Sequence, residues 1–566
     1  MRRLPALTAI LLAAAAVAAP AALGADATQL GVGYICGAEH AQLRPGAEPA
    51  VMLPGVGNGA YVADTANRQA QAWFGEGMNL YHAFNHNEAR DAFARAAALD
   101  PACALCEWGV ALGLGQTLNY GVTADEAAEA LGHAQRAAGL VKPGDGRAKG
   151  LIEAMIVRYR KDGGDAAFAK AMDALARRYP ADDLIGGVTA EALMIPGRGA
   201  DAAGVARAEE ILKGMLARHP DDTAAIHYYI HATEFAGHPA EALPYAHRLA
   251  GLAPGASHLV HMAAHTLMHV GEYEDVALVD AQALKVDADV EAKLRYAGPL
   301  SSQMYYLHNY TFGLAGALMA GDGRLALRYA DHAGVAFPKS RNDFRIAIPT
   351  GLTRSEGPAA RRTTADARAL VAYGRFAPER AIRLADAPGD PVLVRIYRHY
   401  ARGEGFAALG DAAAVRREAD ALVGLGAEAA KANEFVAGNQ ASIARDVLLG
   451  RAEMVAGDPS KATEAFGRAA ALQDRIYPAA KAFDPPPWWY PIRRSVAAAE
   501  LAAGKPAEAA KDARASLRDW PDDALALRVL SGAEARLGDA AAARNHAEDA
   551  RKAWRGDLAK VAPALT

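Results

Sequence analysis

From residue 70 to residue 103 apolar and small residues recur on a helical period, with polar residues between them. Trp73, Gly77, Ala89, Phe93, Ala96 and Pro101 stand at positions 4, 8, 20, 24, 27 and 32 of a 34-residue unit. The unit predicts helix, turn, helix. Small residues at 8 and 20 let the two helices approach closely, and the proline ends the second because it cannot donate a backbone hydrogen bond. The same ruler fits elsewhere. Counting back from Pro254 places Ala242 at 20 and Ala246 at 24, so a unit starts at Thr223. The next starts at Ser257, with Ala264 at position 8 and a turn at Gly271-Glu272-Tyr273. Pro338 anchors another, with His308 at position 2 and Ala326 at 20, and Pro521 anchors one with Ala509 and Ala513 in register. Ala543, Ala547 and Ala550 mark a last unit, and helices with weaker spacing are predicted over 146–160, 165–179 and 361–374.

A repeat of this length and pattern is that of tetratricopeptide (TPR) units. Each hairpin buries its face only against its neighbours, so the expected fold is all-α: a TPR-type α-solenoid of stacked antiparallel helical hairpins with a concave inner face. The chain divides into 1–24, an export signal peptide; 25–66, Gly-rich and irregular; 67–340, repeats with a His-rich groove; 341–445, less regular helical repeats; and 446–566, C-terminal repeats. Residues 483–491 (F-D-P-P-P-W-W-Y-P) read as a rigid aromatic connection. Composition agrees: 566 residues with 7% aromatics suit helices better than sheets. A formal charge of −4 leaves no basic excess to follow a phosphate backbone, which sets nucleic acid aside as a partner. Arg2 and Arg3, an uncharged run from Leu7 to Ala19 and Ala-Leu-Gly at 22–24 predict a cleaved leader. The expectation is a periplasmic or secreted protein with no membrane span in the mature chain.

The histidines change the picture. Nine of the 17 lie between His219 and His269. His227 and His231 occupy positions 5 and 9 of the unit starting at Thr223, and Glu234 occupies 12. In the unit starting at Ser257, His258, His261, His265 and His269 occupy 2, 5, 9 and 13. Steps of three and four residues return to one helical face, so positions 2, 5, 9 and 12 form a single stripe. The packing positions 4, 8 and 11 carry Ile226, Ile230 and Thr233, then Val260, Ala264 and Leu267. An imidazole pair at i, i+4 suits chelation of one ion, and many imidazoles with one carboxylate favour copper or zinc over the Glu-rich di-iron pattern. The candidate ligands are His227, His231, His261 and His265, then His258 and Glu234. Asp280, at position 24 where an apolar residue is usual, either accepts the second N–H of a ligand histidine or is exposed by a locally slipped helix; His269 and His308 are candidates for the rim. The bland alternative is a groove whose histidines merely make hydrogen bonds.

Several motifs also resemble a bacterial family of exported or periplasmic TPR proteins: L-Y-H-A-F-N-H-N-E-A (80–89), D-P-A-C-A-L-C-E-W-G (100–109), I-H-Y-Y-I-H-A (226–232), H-L-V-H-M-A-A-H (258–265), L-H-N-Y (307–310), H-Y-A-R-G (399–403) and P-P-P-W-W-Y-P (485–491). The resemblance implies the solenoid fold, a groove lined by the first helix of each repeat and an H-x-x-x-H motif; it implies no reaction. A protein or peptide docking in the groove is therefore the rival function, from a non-catalytic scaffold.

Cys103 and Cys106 form a C-x-x-C that reads as a local disulfide before metal ligation, with Cys36 left over. Glu107 follows, where covalent haem attachment needs a histidine, so no haem is expected. No Gly-rich phosphate loop is present, so no nucleotide is expected either. His82 and His86 read as turn and packing residues, and Trp488, Trp489 and Tyr490 as packing before a roof over the groove.

Overall fold

The computed structural model describes residues 51–119, 121–196, 199–294, 304–336, 358–476 and 488–566. The leader predicted over 1–24, Cys36 and most of the 483–491 connection lie outside them. The described residues hold 24 α-helices and no strand, stacked as a TPR-like α-solenoid. The first seven are α1 (Arg68–His82), α2 (His86–Leu99), α3 (Ala104–Gly113), α4 (Ala124–Leu140), α5 (Gly146–Tyr159), α6 (Asp165–Arg178) and α7 (Asp183–Met194). The middle of the chain carries α8 (Ala202–Arg218), α9 (Thr223–Ala236), α10 (Leu243–Leu252), α11 (Ser257–Val270), α12 (Tyr273–Leu294), α13 (Met304–Met319) and α14 (Gly323–Ala336). Then come α15 (Pro358–Phe376), α16 (Pro378–Ala381), α17 (Val392–Ala408), α18 (Ala412–Lys431), α19 (Phe435–Ala456) and α20 (Pro459–Ile476). The chain ends with α21 (Arg493–Ala502), α22 (Pro506–Asp519), α23 (Ala524–Leu537) and α24 (Ala540–Ala553).

Local chemistry sets these boundaries. Asp222 caps α9 by accepting from the Ala225 amide. Gly237 and Gly271 end α9 and α11 in the left-handed region, at φ 82° and 87°, where a side chain would be strained. The small residues of the repeat do what the ruler requires. A Cβ on Gly77 would stand 2.7 Å from the Phe93 ring, so α1 and α2 meet at that glycine.

Two features go beyond the repeat pattern. Residues 51–64 form an extended strap over the ends of several hairpins. The Leu53 amide donates to Glu76, the Gly255 amide to the Gly55 carbonyl, and Asn58 bonds Thr223 and the Asp221 carbonyl. Asp64 accepts from the first amides of α3, at Ala104 and Leu105. Further on, the C-terminal repeats come back to the middle of the chain. The Arg555 amide donates to the Ala320 carbonyl at 2.8 Å, and a Cβ on Gly321 would stand 2.2 Å from the Trp554 ring. The C-terminal repeats thus pack against the turn that ends α13.

The histidine-bearing helices themselves are buried within the stack. Every residue of α9 from Thr223 to Glu234 is buried, and so is α11 from His258 to Met268. A helix covered all round has neighbours on both sides. Trp488, Trp489 and Tyr490 are buried packing residues in the C-terminal half: Trp488 lies 4.8 Å from Tyr400, and Trp489 Nε1 donates to Tyr400.

Candidate metal centre

The i, i+4 spacing sets His227 and His231 one turn apart on α9, and His261 and His265 likewise on α11. A third ring joins each pair from the first helix of the next repeat, α11 or α13. His227, His231 and His258 form one trio, and His261, His265 and His308 form another; within each, one nitrogen per ring lies within 4.8 Å of the others. Both trios obey one rule: positions 5 and 9 of one repeat plus position 2 of the next. Adjacent first helices of the stack bring exactly those positions together. His227 Nε2 lies 3.1 Å from His258 Nε2, and His265 Nε2 lies 3.2 Å from His308 Nε2. Two imidazoles on one tetrahedral zinc, at about 2.0–2.1 Å each, hold their nitrogens about 3.3 Å apart. The observed separations match that spacing.

Second partners aim the rings. His227 Nδ1 donates to the His82 carbonyl at 2.6 Å, which leaves Nε2 with its lone pair toward the trio. His261 Nδ1 meets Asp280 Oδ1 at 2.6 Å, and His265 Nδ1 meets Glu234 Oε1 at 3.1 Å. His231 Nε2 and His261 Nε2 are buried and find no protein hydrogen-bond partner. A buried lone pair without a donor is costly unless something coordinates it.

Burial pushes His227, His258, His261 and His308 well below their ordinary value, with neighbouring imidazoles adding to the effect, and takes His231 to about 3. These rings are therefore neutral near pH 7, the form that ligates. Burial also pushes the Asp280 carboxyl well above its ordinary value, with Asp287 contributing. A carboxylate there needs a positive charge nearby, and a cation on the far side of the His261 ring would supply it.

Where the sequence reading set four histidines around one site, the structure groups six in two trios. His258, a reserve, and His308, expected at the rim, stand inside them. Glu234, the other reserve, belongs to neither trio. It sits one turn beyond His231 and reaches across to the ring nitrogens of His265 and His269, both at 3.1 Å. Burial pushes its carboxyl up, yet those two histidines outweigh it and bring it down to about 2. His269 is half-buried and meets this carboxylate through Nε2.

Aromatic rings cover both trios. Phe84 stacks on His258 at 4.9 Å and packs edge-on to His227 at 4.5 Å. Phe312 lies 4.7–4.9 Å from His261, His265 and His308. Behind the first trio runs a buried polar chain that the repeat ruler does not reveal. His82 Nδ1 bonds Tyr228, Tyr228 donates to Glu191 at 3.2 Å, and Tyr81 donates to the same oxygen at 2.6 Å. It braces the turn whose carbonyl aims His227. The L-Y-H-A-F segment was its signal in the sequence, but the partners lie 110 to 146 residues away.

Replacing Asp280 with alanine frees the His261 ring to turn. Loss of such a partner lowers metal affinity about 10–100-fold. The expected result is that loss, measured by chelator competition, with the far-UV circular dichroism unchanged.

Elsewhere, Cys103 and Cys106 are joined by a disulfide at the start of α3. Glu209, His238 and Glu241 also converge, but Lys213 donates to Glu209 at 3.0 Å and lies 3.3 Å from Glu241, so a cation already sits among these carboxylates.

No known family's sequence profile matches the chain, and no curated protein matches it. Solved structures with similar helical architecture include the TPR domain of P58(IPK), 14% identical, covering 66% of this chain and 95% of that one at a TM-score of 0.20. Naa15/Naa10 bound to HypK-THB is 13% identical over 86% of this chain and 70% of that one, at 0.22. The human IFIT1 dimer with m7Gppp-AAAA is 12% identical over 76% and 86%, at 0.29.

Proposed function

We propose that this protein binds a transition metal, copper or zinc, through the buried histidine cluster of its central repeats. The observation that carries this reading is the convergence of six buried imidazoles in two trios, with Nδ1 of three rings held by a carbonyl or a carboxylate. Such second partners accompany ligating histidines and fix their tautomer. Three imidazoles leave a tetrahedral ion one open position, so a bound ion could polarise a small molecule or activate water. We place the protein in the periplasm or outside the cell. The leader-like residues 1–24 support this, as does a C-x-x-C closed as a disulfide, a bond that persists in oxidising compartments.

A second reading, a scaffold that docks a protein or peptide, is favoured by a different surface. Phe435 and Val436 stand side by side at the start of α19, 70% and 55% exposed. The histidines themselves are too deeply buried to meet a docked chain.

Elemental analysis of the untagged protein beside His261→Ala/His265→Ala tests the metal reading. Near-stoichiometric copper or zinc is expected in the first, with a loss in the variant while helical circular dichroism is kept. Absence of metal in both, even after incubation with each ion, leaves the scaffold reading.

A further inference from the structure

The two trios are neighbours, and their separation carries a consequence for how many ions act together. Ring centroids inside the first trio lie 5.0, 5.0 and 6.4 Å apart, and inside the second 4.9, 4.4 and 5.3 Å. Across the boundary His231 lies 6.1 Å from His265, and His258 lies 6.1 Å from His261. The gap between trios is thus no wider than the widest gap within one. His231 Nε2 and His261 Nε2, one from each trio, are both buried without a protein partner.

We propose that the two trios form one dinuclear centre, in which two ions share a small bridging anion of the hydroxide or azide class. This deepens the metal-binding reading and rests on it. Ions in paired sites stand about 3.5–4 Å apart, within reach of a single bridging atom or a short linear anion. Each trio supplies three nitrogens, so each ion keeps an open position. No carboxylate belongs to either trio, so the repulsion between two cations at that distance calls for an anion from solution. Only a small one fits, because Phe84, Phe312 and Tyr305 pack against the rings.

The trios are not equivalent. Asp280 and Glu234 both accept from rings of the second, whereas in the first a neutral carbonyl accepts from His227. Negative charge behind a ring raises its basicity. The His261/His265/His308 trio therefore fills first.

Titrating the metal-free protein with Cu(II), with azide present, and recording electron paramagnetic resonance after each addition tests this. The first equivalent should give a full one-copper signal. The second should reduce the integrated signal toward zero, because copper ions joined by a bridge couple their spins. His258→Gln should keep the tight first step and lose the quenching, and His308→Gln should lose the tight step, each checked for folding by circular dichroism. The wild-type titration is decisive without the variants. Two bound coppers with both signals retained would overturn the shared centre while keeping the metal reading. Failure to bind any copper or zinc would sink both.

Discussion

Copper or zinc added to the metal-free protein is expected to stabilise the central repeats by several kcal/mol, and His261→Ala/His265→Ala to abolish the gain. Binding to the folded state alone adds about 4 kcal/mol when free metal is a thousand times the dissociation constant. Where the gain appears follows from where the ligands lie. Each trio joins two successive first helices, α9 with α11 and α11 with α13, and in a solenoid such neighbour interfaces carry much of the stability. Without an ion, the same interfaces bury imidazole nitrogens that lack donors. Hydrogen exchange resolves the region: slowed exchange should be confined to α9, α11, α13 and the helices against them. Protection spread evenly over the chain, or unchanged in the central repeats, would contradict the placement of the ligands.

Glu404→Ala is expected to cost about 3–5 kcal/mol, the typical effect of stranding a buried charge. Glu404 is fully buried on α17. Its Oε1 accepts from Arg451 Nε at 2.8 Å, and its Oε2 accepts from Arg375 Nη1 at 3.2 Å. The same guanidiniums hold residues 564–566: Arg451 Nη1 donates to the carbonyls of Ala564 and Thr566, and Arg375 to that of Leu565. Alanine would leave two cations facing each other in the core. The denaturation midpoint should fall accordingly. Glu404→Ala combined with Arg451→Met should recover part of the loss, since removing both partners costs less than removing one. Burial pushes the carboxyl up, but Arg451 and Arg375 outweigh it and hold it below its ordinary value. The contribution is therefore full above about pH 4.3, the unfolded value, and is lost as pH falls through the lower folded value.

The repeat ruler reached far into this molecule because its rules are local. Which residues face one side of a helix depends on 3.6 residues per turn, so His227 with His231 and His261 with His265 could be paired from spacing alone. Asp280 stood out for the same reason: a carboxylate at a packing position needs a partner, and the structure sets His261 there at 2.6 Å. The division into two trios was not legible. It depends on the position-2 rings of the following repeats, and the unit bearing His308 starts at 307, 50 residues after Ser257 rather than 34. The intervening α12 runs to 22 residues. Only stacking shows that this insertion keeps α13 beside α11.

The sequence by itself determined the helices, their caps and turns, the stripe that carries the histidines and the all-α solenoid built from them. Each follows from interactions within one turn or one hairpin. Tertiary structure decided what depends on residues far apart in the chain. It carried the strap of residues 51–64 across the hairpins, aimed His227 with a carbonyl 145 residues away and set Glu234 between the rings of His265 and His269. It also brought the last repeats back against Ala320 and Gly321, and it buried the histidine rings beside Phe84, Tyr305 and Phe312. Long-range placement is a sum over every repeat's small rotation, and no local pattern encodes that sum.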